Sequence, residues 1–97
     1  MTAITSDCTF RENTPALGIK EIVVITPATA AHTNTIAVDL AKYGIGTVLG
    51  VDGYEHSTTD SIIIKGTQTT AVATGTLTIT IGGSAGAKKR VYTVLGI

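Results

Sequence analysis

Apolar and polar residues alternate with a period of two over much of this chain, the spacing of a strand with one face buried. The clearest run is Thr76 to Ile81, where Leu77, Ile79 and Ile81 fall on one side of an extended backbone and Thr76, Thr78 and Thr80 on the other. Thr35 to Leu40 repeats the pattern, with Ile36, Val38 and Leu40 opposed to Thr35, Ala37 and Asp39. Ile19 to Thr26 (IKEIVVIT) is apolar on both faces in its second half, as a central strand covered on both sides would be, and Pro27 ends it. Gly46 to His56 is β-like but interrupted by Gly50 and Gly53, which predicts a bend or a close approach of another group. Ser61 to Lys65 reads as a short strand with Ile62 and Ile64 on one face. Arg90 to Leu95 reads as the hairpin partner of Thr76 to Ile81 across a flexible turn, Gly82 to Lys89.

The connecting stretches carry turn chemistry. Ala28 to Asn34 is small and polar, Ala41 to Gly44 is a turn that Gly44 can close, and Gly66 to Thr74 is a loop of small residues with weak strand character. Residues 1–17 show no clear period, and Pro15 restricts their end to extended or turn geometry. They read as an N-terminal arm, or alternatively as an edge strand around Ala3 to Thr5 or Thr9 to Arg11, ahead of a single β domain over residues 18–97. The expected fold is all-β: a compact β-sandwich or small β-barrel of about five to seven short strands with an extended N-terminal arm. A buried hydroxyl needs its own hydrogen-bond partner, so the threonine face of Thr76 to Thr80 is expected at solvent or at an interface.

Composition supports this reading. The 97 residues include 19 Thr, 12 Ile and 8 Val, and β-branched side chains favour pleated surfaces over helices. Aromatics are confined to Phe10, Tyr43, Tyr54 and Tyr92, so the core must be aliphatic. Seven basic residues balance seven acidic ones, which argues against a nucleic-acid binder or an electrostatic membrane binder. A partner would be held by shape and apolar contact. No signal-peptide pattern opens the chain, and its apolar runs fall far short of the roughly 20 residues that span a bilayer.

The search for chemistry yields little. The lone Cys8 cannot form an intrachain disulfide, and a reactive thiol would need cationic neighbours and partial exposure. Asp52, Glu55, His56 and Asp60 have the oxygen and nitrogen donors of a cation site but not a regular ligand spacing, so exposed polar residues are expected there. Gly82, Gly83 and Gly86 before Lys88 fail as a phosphate loop, because Ala87 precedes the lysine and a strand follows. No nucleophile elbow or Cys and His signature suggests nucleophilic catalysis. The expectation is a protein that is not an enzyme, with no catalytic residue, metal or cofactor. Lys88, Lys89 and Arg90 are the one dense basic cluster, either a partner anchor or a solvated tip that discourages edge pairing. Phe10, the only Phe, is a candidate anchor for a partner, with Arg11 and Glu12 at its rim.

Three stretches carry a resemblance: Asn34 to Leu40 (NTIAVDL), Gly46 to Val51 (GTVLGV), and Gly75 to Gly83 (GTLTITIGG) followed by Lys88 to Tyr92 (KKRVY). Together they resemble the small Thr- and Gly-rich β proteins of tailed-bacteriophage heads, the capsid decoration or cement type. The resemblance covers about Lys20 to the C-terminus and rests on composition rather than on a chemical motif. It implies a structural virion protein on the outside of the capsid, bound to the major capsid protein and stabilising the shell as a small homo-oligomer such as a trimer. It implies no role for nucleic acid or membrane. The alternative is a small recognition module of a phage tail or spike that binds a glycan or another structural protein.

Overall fold

The computed structural model describes residues 2–16, 18–83 and 86–97. A single 3-10 turn, Thr5–Asp7, precedes eight strands: β1 (Thr9–Ala16), β2 (Ile19–Ile25), β3 (Thr35–Asp39), β4 (Val48–Thr58), β5 (Ile62–Lys65), β6 (Thr69–Ala73), β7 (Thr76–Thr80) and β8 (Arg90–Gly96). They form two antiparallel sheets, five strands in the order β1-β2-β8-β4-β5 and three in the order β3-β7-β6. The fold is all-β, as the alternation predicts.

One aliphatic core lies between the sheets. Ile22 and Val24 of β2 with Tyr92 and Val94 of β8 meet Ile36 and Val38 of β3 with Leu77 and Ile79 of β7, all of them buried. The registers place these residues side by side, with Val94 opposite Ile22 and Tyr92 opposite Val24, while Val38 faces Leu77 and Ile36 faces Ile79. Burying each such side chain contributes roughly 1.5–3 kcal/mol, which is what holds two sheets with so few aromatics together.

Both glycines of β4 act as the sequence suggests. The register slips between Val48 and Gly50, a bulge. At Gly53 a Cβ would stand 2.7 Å from the Tyr92 ring, so only glycine leaves room for that ring beside the strand. The Leu40 to Gly44 turn closes with Gly44 at φ +70°, a conformation that L side chains adopt rarely.

Four features depart from the sequence reading. Thr69–Ala73, expected as loop, pairs along its length with β7. The link is a two-residue turn in which Thr74 and Gly75 both have positive φ, 52° and 74°, the hairpin geometry whose twist matches that of the strands. Among the described residues the strands therefore number eight rather than five to seven. Arg90–Gly96 is not the hairpin partner of β7: it lies in the other sheet between β2 and β4, so the chain changes sheets between β7 and β8. Both faces of β2 are apolar, yet only Ile22 and Val24 are buried, whereas Val23 and Ile25 lie half-buried on the outer face, which has no third layer over it.

The N-terminal residues lie along the body. The Ile4 N–H donates to Thr35 O and the Thr35 N–H to Thr2 O, both at 2.9 Å, which adds this stretch to the free edge of β3. After the 3-10 turn, Thr9–Ala16 pairs with β2 from Thr9 opposite Ile25 to Ala16 opposite Ile19. The segment set apart as an arm is thus extended and occupies an edge of each sheet.

Candidate interaction surfaces

At one end of the sandwich the structure buries an ion pair. Glu55 of β4 and Arg90 of β8 are cross-strand neighbours, and Arg90 Nη2 lies 2.9 Å from Glu55 Oε1 with both side chains nearly inaccessible. Arg90 Nη1 also donates to Ala30 O, the Arg90 N–H donates to Thr26 Oγ1 at 2.7 Å, and the Lys88 N–H donates to Ala30 O at 2.8 Å. The loops after β2 and before β8 therefore roof the pair. A charge taken from water is tolerated only when paired and hydrogen-bonded in this way. Arg90, grouped by sequence with Lys88 and Lys89 as a surface cluster, is 1% exposed and spent on its own fold, so it is not available to a partner. It faces inward because strand alternation places it on the same side as Tyr92 and Val94.

Lys88 and Lys89 are partly exposed. Lys89 Nζ lies 3.1 Å from Asp60 Oδ1, and the Asp60 N–H donates to His56 Nδ1 at 3.0 Å. His56 is buried, not an exposed loop residue. Asp52 is taken up by Lys65, 2.9 Å away. Of the four residues weighed as a cation site, Glu55 thus faces Arg90 while Asp52 and Asp60 face lysines, and no group of three or more possible metal ligands comes together among the described residues.

Phe10 packs against the core from β1, opposite Val24, while Arg11 and Glu12 are exposed. Glu12 lies 3.6 Å from Lys20 Nζ. Phe10 is therefore partly buried against its own sheet. Cys8, beside it, donates its thiol to Ile4 O at 3.3 Å, and burial together with Asp7 pushes its pKa up to about 11, the opposite of an activated thiol.

The surface features that stand out are apolar. Leu49, Leu95 and Ile97 are exposed where β4 begins and β8 ends, brought together by the pairing of Gly50 with Leu95 and of Thr47 with Ile97. Beside them a shallow groove of about 420 Å³ runs over the outer face of the five-stranded sheet, lined by Glu21, Gly50, Val51, Asp52, Tyr54, Thr93 and Leu95. At the other end of β4, Ile62, Ile63 and Ile64 of β5 and Val72 of β6 are each about half exposed. Ile64 pairs with Glu55 and Val72 with Leu77, so Ile64 and Val72 occupy core-facing positions that the opposite sheet does not cover. Alternation marks which side of a strand faces inward, but not how far the facing sheet extends, and for that reason the sequence alone does not reveal this patch.

Compared with protein-family models, with curated proteins and with solved structures, the chain matches none. Among the described residues no helix is long and apolar enough to cross a membrane.

Proposed function

We propose that this chain is a structural protein of a phage head, a decoration or cement protein that sits on the outside of the capsid and ties neighbouring subunits together. The observation that carries the reading is the pair of apolar patches at opposite ends of β4, Leu49 with Leu95 and Ile97 at one end and Ile62 and Ile64 with Val72 at the other. A small, electrically neutral body with two separate patches suits bridging, since each can be buried against a different neighbour, a capsid subunit or a second copy of the chain. The resemblance of the Thr- and Gly-rich strands supplies the particle. A shell that binds such a protein only when closed is stabilised by it through mass action. The virion is then its location and the major capsid protein its partner.

The runner-up, a tail or spike module that binds a glycan, draws on the outer groove, where the Tyr54 ring stands beside Asp52, Glu21 and Thr93. A sugar is held by an aromatic face flanked by hydrogen-bonding groups. Copy number separates the two. Quantitative mass spectrometry of purified particles from the phage that encodes the chain is expected to find hundreds of copies per particle, with loss of the chain on Leu95→Asp. A handful of copies points to the tail reading, and none in the particle overturns both.

A further inference from the structure

We infer that the free edge of β5 is a contact between two copies of this chain, formed by antiparallel pairing of β5 with β5 about a twofold axis at Ile63. The inference rests on the reading of the chain as an assembly protein.

The edge is open and its hydrogen-bonding groups are directed outward. The Gly66 N–H donates to Gly53 O at 2.8 Å, and the His56 N–H donates to Lys89 O at 2.9 Å, away from β5. In an antiparallel ladder, bonded and non-bonded pairs alternate. Gly66 and Ile64 therefore direct their backbone groups toward β4, whereas Ile63, which sits opposite His56, turns its N–H and C=O to the unpaired side. Soluble proteins blunt such an edge with lysine. Here the one lysine of β5, Lys65, stands at the end of the strand, with its Nζ 2.9 Å from Asp52 of the neighbouring β4.

The occupant follows from the sequence of the edge. Ser-Ile-Ile-Ile-Lys is a run of three identical β-branched residues centred on Ile63. A twofold axis there sets Ile63 opposite itself, Ile62 opposite Ile64, and Lys65 opposite Ser61. Each isoleucine then meets an isoleucine on the same face, two backbone hydrogen bonds form at the axis, and no two like charges meet. β-branched cross-strand pairs are the favourable ones in a sheet. An isologous contact needs such self-complementarity, and it closes at two copies, so it is separate from the ring contacts that a trimer would use. Zero net charge removes long-range repulsion between copies.

Four residues span only about 13 Å, so the contact is small and the association is weak in the absence of a particle. The test is sedimentation equilibrium of the purified chain up to about 1 mM. Wild type is expected to show reversible monomer–dimer behaviour. Ile63→Lys and Ile63→Glu each place like charges across the axis and are expected to weaken dimerisation at least tenfold, with unchanged circular dichroism because Ile63 is exposed. An equimolar mixture of the two variants is expected to associate again, because residue 63 faces residue 63. A wild type that stays monomeric at 1 mM, or variants whose mixture does not associate better than either alone, overturns the proposal. Neither result depends on particle binding, so this inference and the head-protein reading fail separately.

Discussion

The two flanks of the sandwich are built from similar material and end differently. On one flank the edges of β2 and β3 are both taken by the N-terminal segment, which pairs with β3 through Ala3, turns through Thr5–Asp7 and continues as β1 along β2. Ile4 is buried there, and Cys8 and Phe10 pack on the core. On the opposite flank β5 and β6, joined by the short link 66–68, extend both sheets past the core, and every residue in the two strands is exposed. The second flank has the larger aliphatic side chains, Ile62, Ile63, Ile64 and Val72, but among the described residues no segment crosses in front of it. Apolar content alone does not decide burial; a covering element does. A flank sealed from within contributes to folding, and a flank left open is suited to contributing to assembly.

If that contrast is right, its largest consequence concerns removal of the seal. Deleting residues 1–16 uncovers two sheet edges and the core residues beneath them at once, and a domain of this size has only about 5–15 kcal/mol of stability in total. The truncated chain is expected to be largely unfolded at 25 °C by circular dichroism. A melting temperature within a few degrees of the full chain would show that residues 1–16 are a free arm, and the contrast would collapse.

A smaller effect reports on Cys8 within the sealed flank. Its thiol is held protonated up to a pKa of about 11, against an ordinary 9.0, first through burial and then through Asp7. Below pH 9 the thiol is neutral in both the folded and the unfolded chain. Between pH 9 and 11 the unfolded chain ionises while the folded one does not, so stability falls as pH rises and levels off above 11. Because the thiol is only partly buried, the loss is on the order of 1 kcal/mol. Tyr92, whose burial raises its pKa to about 12, adds a further decline above pH 10, so the measurement compares wild type with Cys8→Ala. The urea midpoint of wild type is expected to drop more between pH 8 and 10.5 than that of the variant. Equal drops would mean that the thiol is open to solvent.

These flanks also mark how far the sequence could be read. Alternation identified β3 and β7 with their inward residues, because a period of two follows directly from one buried face. It missed β6, whose residues Thr69 to Ala73 are small and whose hairpin signal is a single Thr-Gly step. It joined β7 to β8 as a hairpin, since a turn between strands looks the same in sequence whether the chain returns in its own sheet or crosses to the other. Arg90 looked like part of an exposed cluster because the carboxylate that pairs with it, Glu55, lies 35 positions away. Phe10 was legible as an anchor, and it packs, partly buried, on the chain's own core.

The smallest predicted effect is the most specific to the open flank. Ile64→Thr keeps the β-branch, and so the strand preference, while removing apolar surface from a side chain that is 47% exposed. Substitutions at exposed sites without special contacts fall within about 0.5 kcal/mol, and the urea midpoint of the dilute protein is expected to stay within that range. The same exchange at Ile4, 7% exposed on the sealed flank, places a hydroxyl against the core and removes buried methylene surface, and it is expected to cost about 2 kcal/mol. The two substitutions are chemically identical, so their difference measures coverage alone. Equal losses at both positions would mean that Ile64 is as well covered in the monomer as Ile4, and a patch that is already covered has nothing left to offer a second copy or a shell.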